Sequence, residues 1–125
     1  MNIIELKTYL GSNLESTLNT MTERESLFPR VHLTNPESIR RQGTADAYSK
    51  LIEVANNLDI LYLLKESIEI SVKNLEKAIS TYKKIERNNG YDVEHLVGYD
   101  MEDVKYQLAY LKGSLETYRN VLMLL

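Results

Sequence analysis

Apolar residues recurring every three or four positions over two long stretches constrain this chain more than anything else in it. Ile39, Gly43, Ala47, Leu51, Val54, Leu58 and Leu61 form one stripe, and Ile68, Val72, Leu75, Ile79 and Tyr82 carry it on. From Leu51 the steps alternate three and four, a heptad seam that only Lys65 interrupts. A second ridge of the same period runs through Val104, Leu108, Leu111, Leu115, Tyr118, Leu122 and Leu125. Such a period keeps one face of an α-helix apolar, whereas a strand needs alternation. Two matching ridges joined by a short connection are expected to bury each other as an antiparallel hairpin crossing at roughly +20°.

Glycine, proline and polar caps mark the boundaries. Ile3, Leu6, Leu10, Leu14, Leu18 and Met21 place one stripe on a first helix, expected over about residues 2–25. Gly11 and the Ser12–Glu15 spacing mark a weak point, but the unbroken stripe favours a single helix. Residues 26–35 lose the pattern, and Pro29 disfavours helical geometry at Phe28, so a loop is expected there. The next start is either a Thr34–Glu37 capping box or an Asn35 cap with Pro36 in the first turn. From it a long central helix is expected over 35–88, with a break near Asn57 where Asn56-Asn57 and Asp59 mark a kink or helix junction. Asn88-Asn89-Gly90 is the stop, since glycine readily takes the left-handed conformation that closes a helix. Gly90-Tyr91-Asp92-Val93-Glu94 then recurs in form as Gly98-Tyr99-Asp100-Met101-Glu102. Each aspartate is placed to cap a helix, predicting a short one over 92–97 and a last one over 100–124. The expectation is an all-α single domain over 1–125: an antiparallel helical hairpin or bundle of three to four helices with a long central helix, and no strand.

Composition then limits function. The 125 residues contain no Cys, which rules out disulfides, thiolate metal sites and cysteine catalysis. A net charge of −3 gives no field for general nucleic-acid binding. No apolar run approaches the ~18 residues of a membrane span, and Glu5 and Lys7 interrupt any leader-like stretch, so a cytoplasmic protein is expected. His32 and His95 lack partners at metal-ligand spacing, and phosphate-cradling and nucleophile-elbow glycine motifs are missing. The acids Asp92, Glu94, Asp100, Glu102 and Asp103 fit helix starts rather than a calcium loop. No enzyme, cofactor or metal is expected.

Two surfaces remain as candidates. Around Leu58–Leu64 apolar residues cover nearly every helix face, so Ile60, Leu61, Leu63 and Leu64 are expected to be covered by a partner. Nine Tyr against one Phe and no Trp is unusual, and Tyr91, Tyr99, Tyr106 and Tyr110 gather near the last helix start. Tyrosine combines large area with a polar tip and favours interfaces. These features point to a non-enzymatic protein-interaction module, a homo-oligomer of the bacterial or phage accessory or inhibitor type. The alternative is an anion site. Arg30, His32, Arg40 and Arg41, with Tyr48 for stacking and small residues beside them, suit a phosphorylated small molecule or nucleotide.

Overall fold

The computed structural model describes residues 1–21 and 35–125. Among them four helices carry the fold: α1 Ile3–Thr20, α2 Pro36–Leu58, α3 Leu61–Arg87 and α4 Met101–Met123. A small antiparallel ribbon, β1 Tyr91–Asp92 and β2 Val97–Gly98, joins α3 to α4. The protein is an all-α helical bundle, as the two ridges predict. No helix among the described residues is long and apolar enough to cross a membrane.

Local chemistry sets the helix starts. Asn2 accepts from the Glu5 N–H at 2.8 Å, Asn35 from Glu37 at 2.9 Å, and Asp100 from Glu102 at 2.8 Å. Each satisfies an N–H group that has no partner within its helix. At α2 the Asn35–Pro36 start is the one used, with proline in the first turn. α1 runs through Gly11 unbroken and buries Leu6 and Leu10 completely.

The long apolar stretch is two helices. α2 closes at Asp59, whose φ of 47° is left-handed and whose N–H donates to the Ala55 carbonyl at 3.1 Å. Ile60 is extended, and α3 restarts at Leu61 with no side-chain cap. Of the residues that marked the junction, Asp59 rather than Asn56-Asn57 makes the break, and its short polar side chain tolerates this conformation better than leucine does. Lys7 Nζ lies 2.7 Å from Asp59 Oδ1 and ties the corner to α1.

One core gathers residues from all four helices. Ile68, Val72 and Ile79 of α3 meet Val104, Leu108, Leu115 and Val121 of α4, with Leu75, Tyr82, Leu111, Tyr118 and Leu122 packed alongside. The pairing is antiparallel: Glu76 reaches Arg119 at one end, and Tyr82 sets its ring 6.5 Å edge-on to Tyr99 at the other. α4 also packs intimately on α2, whereas α2 and α3 touch little beyond their corner.

The contact between α2 and α4 is backbone on backbone. A Cβ at Gly43 would lie 2.2 Å from the Tyr110 carbonyl oxygen, and one at Gly113 would lie 2.2 Å from that of Arg40. No other residue fits at either position. Hydroxyls line the crossing: Ser114 Oγ donates to the Gly43 carbonyl at 3.0 Å, and Thr117 Oγ1 to that of Gly113 at 2.9 Å. The Tyr110 hydroxyl donates to Asp46, and Gln42 donates to the same carboxylate at 3.0 Å.

The stretch 92–97 corrects the sequence expectation. It is the turn of a hairpin rather than a helix, with Tyr91 opposite Gly98 and Asp92 opposite Val97. Asp92 caps one turn as expected, accepting from the N–H groups of Glu94 and His95 at 3.1 and 3.2 Å. Leu96 then takes a φ of 54° and reverses the chain. The stop behaves as predicted: Gly90 has a φ of 91°, and its N–H donates to the Ile85 carbonyl at 2.8 Å.

Two glycine substitutions should act in opposite directions. Gly43→Ala forces the crossing helices apart and should lower stability by about 1–3 kcal/mol, although alanine normally strengthens a helix. Gly11→Ala, with nothing within 4 Å of the new methyl, should raise stability by roughly 0.5–1 kcal/mol. Urea unfolding followed by circular dichroism measures both; a stabilised Gly43→Ala protein would refute the packing described for the crossing.

Candidate functional site

The hairpin between α3 and α4 presents a run of exposed large apolar side chains. Val93 and Leu96 are 65% and 75% exposed, and Tyr91, Val97 and Tyr99 are each a little over 40% exposed. Five large apolar side chains within nine residues face solvent on one small protrusion. Single exposed apolar residues are ordinary on any protein, but clusters of them mark contact surfaces.

The tip is held rather than loose. Asp92 is buried and binds three groups: two backbone N–H groups through Oδ1 and the His95 imidazole, which donates from Nδ1 to Oδ2 at 2.7 Å. Asn88 Nδ2 donates to the Tyr91 carbonyl at 3.0 Å, and the Tyr99 N–H donates to that of Gly90 at 2.7 Å. Leu96 is the conspicuous residue, because a bulky side chain pays a steric penalty at positive φ and persists there only when its surroundings hold it. Hydrogen bonding to His95 holds the Asp92 carboxyl below its usual range, while the same bond and the facing charge push His95 up. His95 Nε2 bonds to no side chain among the described residues, so the pair orders the turn.

The residues proposed for an anion site do not converge. Arg40 pairs with Glu116 across the α2–α4 crossing. Arg41 turns to the other side of α2, 3.7 Å from Glu37 Oε1 and 3.3 Å from Ser38 Oγ. Tyr48 lies in the core beside Tyr9, and burial followed by the Tyr9 contact pushes its phenol up to about 12. Its ring offers no face for stacking. Arg30 and His32 lie outside the described residues. The groove beside Arg40, about 710 Å³, mixes Lys105 and Lys112 with Glu37, Glu86 and Glu116, and so balances its charges.

The proposed interface residues divide into three groups. Tyr91 and Tyr99 lie on the exposed hairpin, and Ile60 and Leu63 are exposed beside Tyr62 at the start of α3. Leu64 is fully buried and Leu61 packs against the core, because the Asp59 corner turns that side of α3 inward. This turn of the chain is therefore covered on one side by the bundle itself. Tyr106 and Tyr110 are half-buried, their hydroxyls donating to Glu102 at 2.6 Å and to Asp46. Sequence reasoning missed Val93 and Leu96, and the available signal was two branched apolar residues within a turn rich in acids.

The Asp92–His95 pair gives the hairpin a pH window. A raised His95 contributes order that is complete below about pH 6.5 and is lost as pH rises through its elevated folded value. A lowered Asp92 contributes order present above about pH 4 and lost as pH falls. Amide exchange at Glu94 and His95 should therefore be slowest, after correction for intrinsic rates, between these limits. His95→Gln should flatten the upper limb; an unchanged upper limb would show that the imidazole does not secure the turn.

No protein-family model, no curated protein and no solved structure matches this chain.

Proposed function

We propose that this protein is a non-enzymatic interaction module that docks through the hairpin tip, and that its first partner is a second copy of itself. The observation that carries this reading is the pre-ordered protrusion at residues 91–99, with Val93 and Leu96 held outward by Asp92 and by the left-handed Leu96 backbone. Ordering a loop before it binds removes part of the entropy cost of association. Tyr91 and Tyr99 flank the two aliphatic groups with large rings and few rotors, the residue type enriched where binding energy concentrates. A self-complementary apolar patch is what a two-fold homodimer uses, and such dimers are the commonest soluble assemblies. A small cytoplasmic accessory or inhibitor protein of bacterial or phage type would act in this way, by occupying a surface.

Light scattering after size exclusion tests the reading. At micromolar concentration the wild-type chain should run at about twice its monomer mass. Val93→Asp with Leu96→Asn should weaken association by at least about 100-fold, since each fully buried Val or Leu contributes about 1.5–3 kcal/mol. Asparagine accepts positive φ, so the double variant should keep its helicity and unfolding midpoint. A wild-type monomer at these concentrations would overturn self-association.

A further inference from the structure

A second surface, on a different face of α3, has a different chemistry. Lys83 and Arg87 of α3 and Lys112 and Arg119 of α4 line one groove of about 400 Å³. Among the described residues Glu76 is the only carboxylate lining it, and Arg119 engages that carboxylate at 3.2 Å. Lys83, Arg87 and Lys112 have no ion-pair partner among the described residues. The chain as a whole is acidic, so these cations are gathered rather than scattered. Lys83 and Arg87 stand four apart on one helix face, where like charges repel. Their place near the C-terminus of α3 answers the helix dipole, but that account does not reach Lys112 and Arg119 on the opposite wall.

The floor of the groove is apolar. Ile79 and Leu115, both nearly buried, lie between the two basic walls, with Ser80 at the side. A volume of this size is within the range of small-molecule sites. Arginine forks and lysine ammonium groups around an apolar floor suit a ligand with several phosphate charges and an organic body. The charge-balanced groove beside Arg40 lacks this excess. We infer that the α3–α4 groove binds an organic di- or triphosphate, its phosphates held by Lys83, Arg87 and Lys112 and its body covering Ile79 and Leu115. The site is independent of the hairpin. The ribbon packs near Thr81, Lys84, Ile85 and Asn88, whereas the groove uses Ser80, Lys83 and Arg87.

Titration calorimetry of the full chain with ATP as the probe tests the inference. Wild-type protein should bind with a dissociation constant below about 1 mM at low salt, and added salt should weaken the binding. Lys83→Gln with Lys112→Gln should weaken it at least tenfold while circular dichroism stays unchanged. Lys65→Gln, away from the groove on the same helix, should leave it intact. Inorganic tripolyphosphate should bind more weakly than ATP because it has no body to cover the floor. Absence of ATP binding, or binding indifferent to the groove substitutions, overturns the site. Tripolyphosphate binding as tightly as ATP overturns the organic ligand. Neither result bears on the hairpin, whose variants keep the groove.

Discussion

The crossing of α2 and α4 at Gly43 and Gly113 is the contact on which the rest of the bundle depends. Each glycine lies against the other helix's backbone, at distances where a single methyl would collide with a carbonyl oxygen. Close approach brings many weakly attractive atom pairs into range at once. The glycines weaken both helices locally, by roughly 0.5–1 kcal/mol each relative to alanine, so tertiary packing must offset that loss. Ser114 and Thr117 hydroxyls find backbone carbonyls at the crossing, and Asp46 receives Tyr110 and Gln42 at its edge. Because α2 and α3 barely touch beyond the Asp59 corner, α4 is the element that holds them in one body.

That arrangement also determines what is left outside. With α4 packed against both α2 and α3, the grooves along it carry charge at their rims and leucine at their floors. The connection from α3 back to α4 has to reverse direction within a few residues, and it does so as a ribbon with its apolar side chains outward. The reversal uses a leucine at positive φ, a conformation that opposes folding by about 1–3 kcal/mol for a bulky residue. Three bonds to Asp92 and the paired backbone of the ribbon supply the compensation.

Much of this fold is legible in the sequence because its signals are local. The heptad ridges of α3 and α4, the caps at Asn35 and Asp100, and the stop at Gly90 each depend on residues a few positions apart. The α2–α4 crossing is not local. Gly43 and Gly113 are seventy positions apart, and each alone reads as a weak spot in a helix. Asp92 misleads for a related reason: the same carboxylate-to-N–H bonds start a helix or close a turn, and the outcome rests on Leu96, whose type gives no preference for the left-handed region. Arg40 and Arg41 are neighbours in sequence but about 100° apart around a helix, and they engage different carboxylates, Glu116 and Glu37. Tyr48 follows Arg41 by two turns yet points into the core. The basic groove escaped sequence reasoning because its two walls come from separate helices. Tyr91 and Tyr99 were legible only as part of a tyrosine-rich stretch that also held the half-buried Tyr106 and Tyr110; the aliphatic tip between them was not.

The Asp92–His95 bond behaves differently above and below the imidazole titration, and this bears on how the hairpin works. Losing the proton charge does not remove the bond, since a neutral imidazole protonated at Nδ1 still donates to the carboxylate. What is lost is the charge assistance, which roughly doubles the strength of such a bond. The two backbone N–H groups on Asp92 Oδ1 are unaffected by that step, and Asp92 stays ionised throughout. The turn therefore loosens gradually as the solution becomes more alkaline. It opens sharply only when acid neutralises Asp92, because all three bonds depend on that one carboxylate. A hairpin built this way keeps its shape near neutrality, with the His95 ring largely exposed.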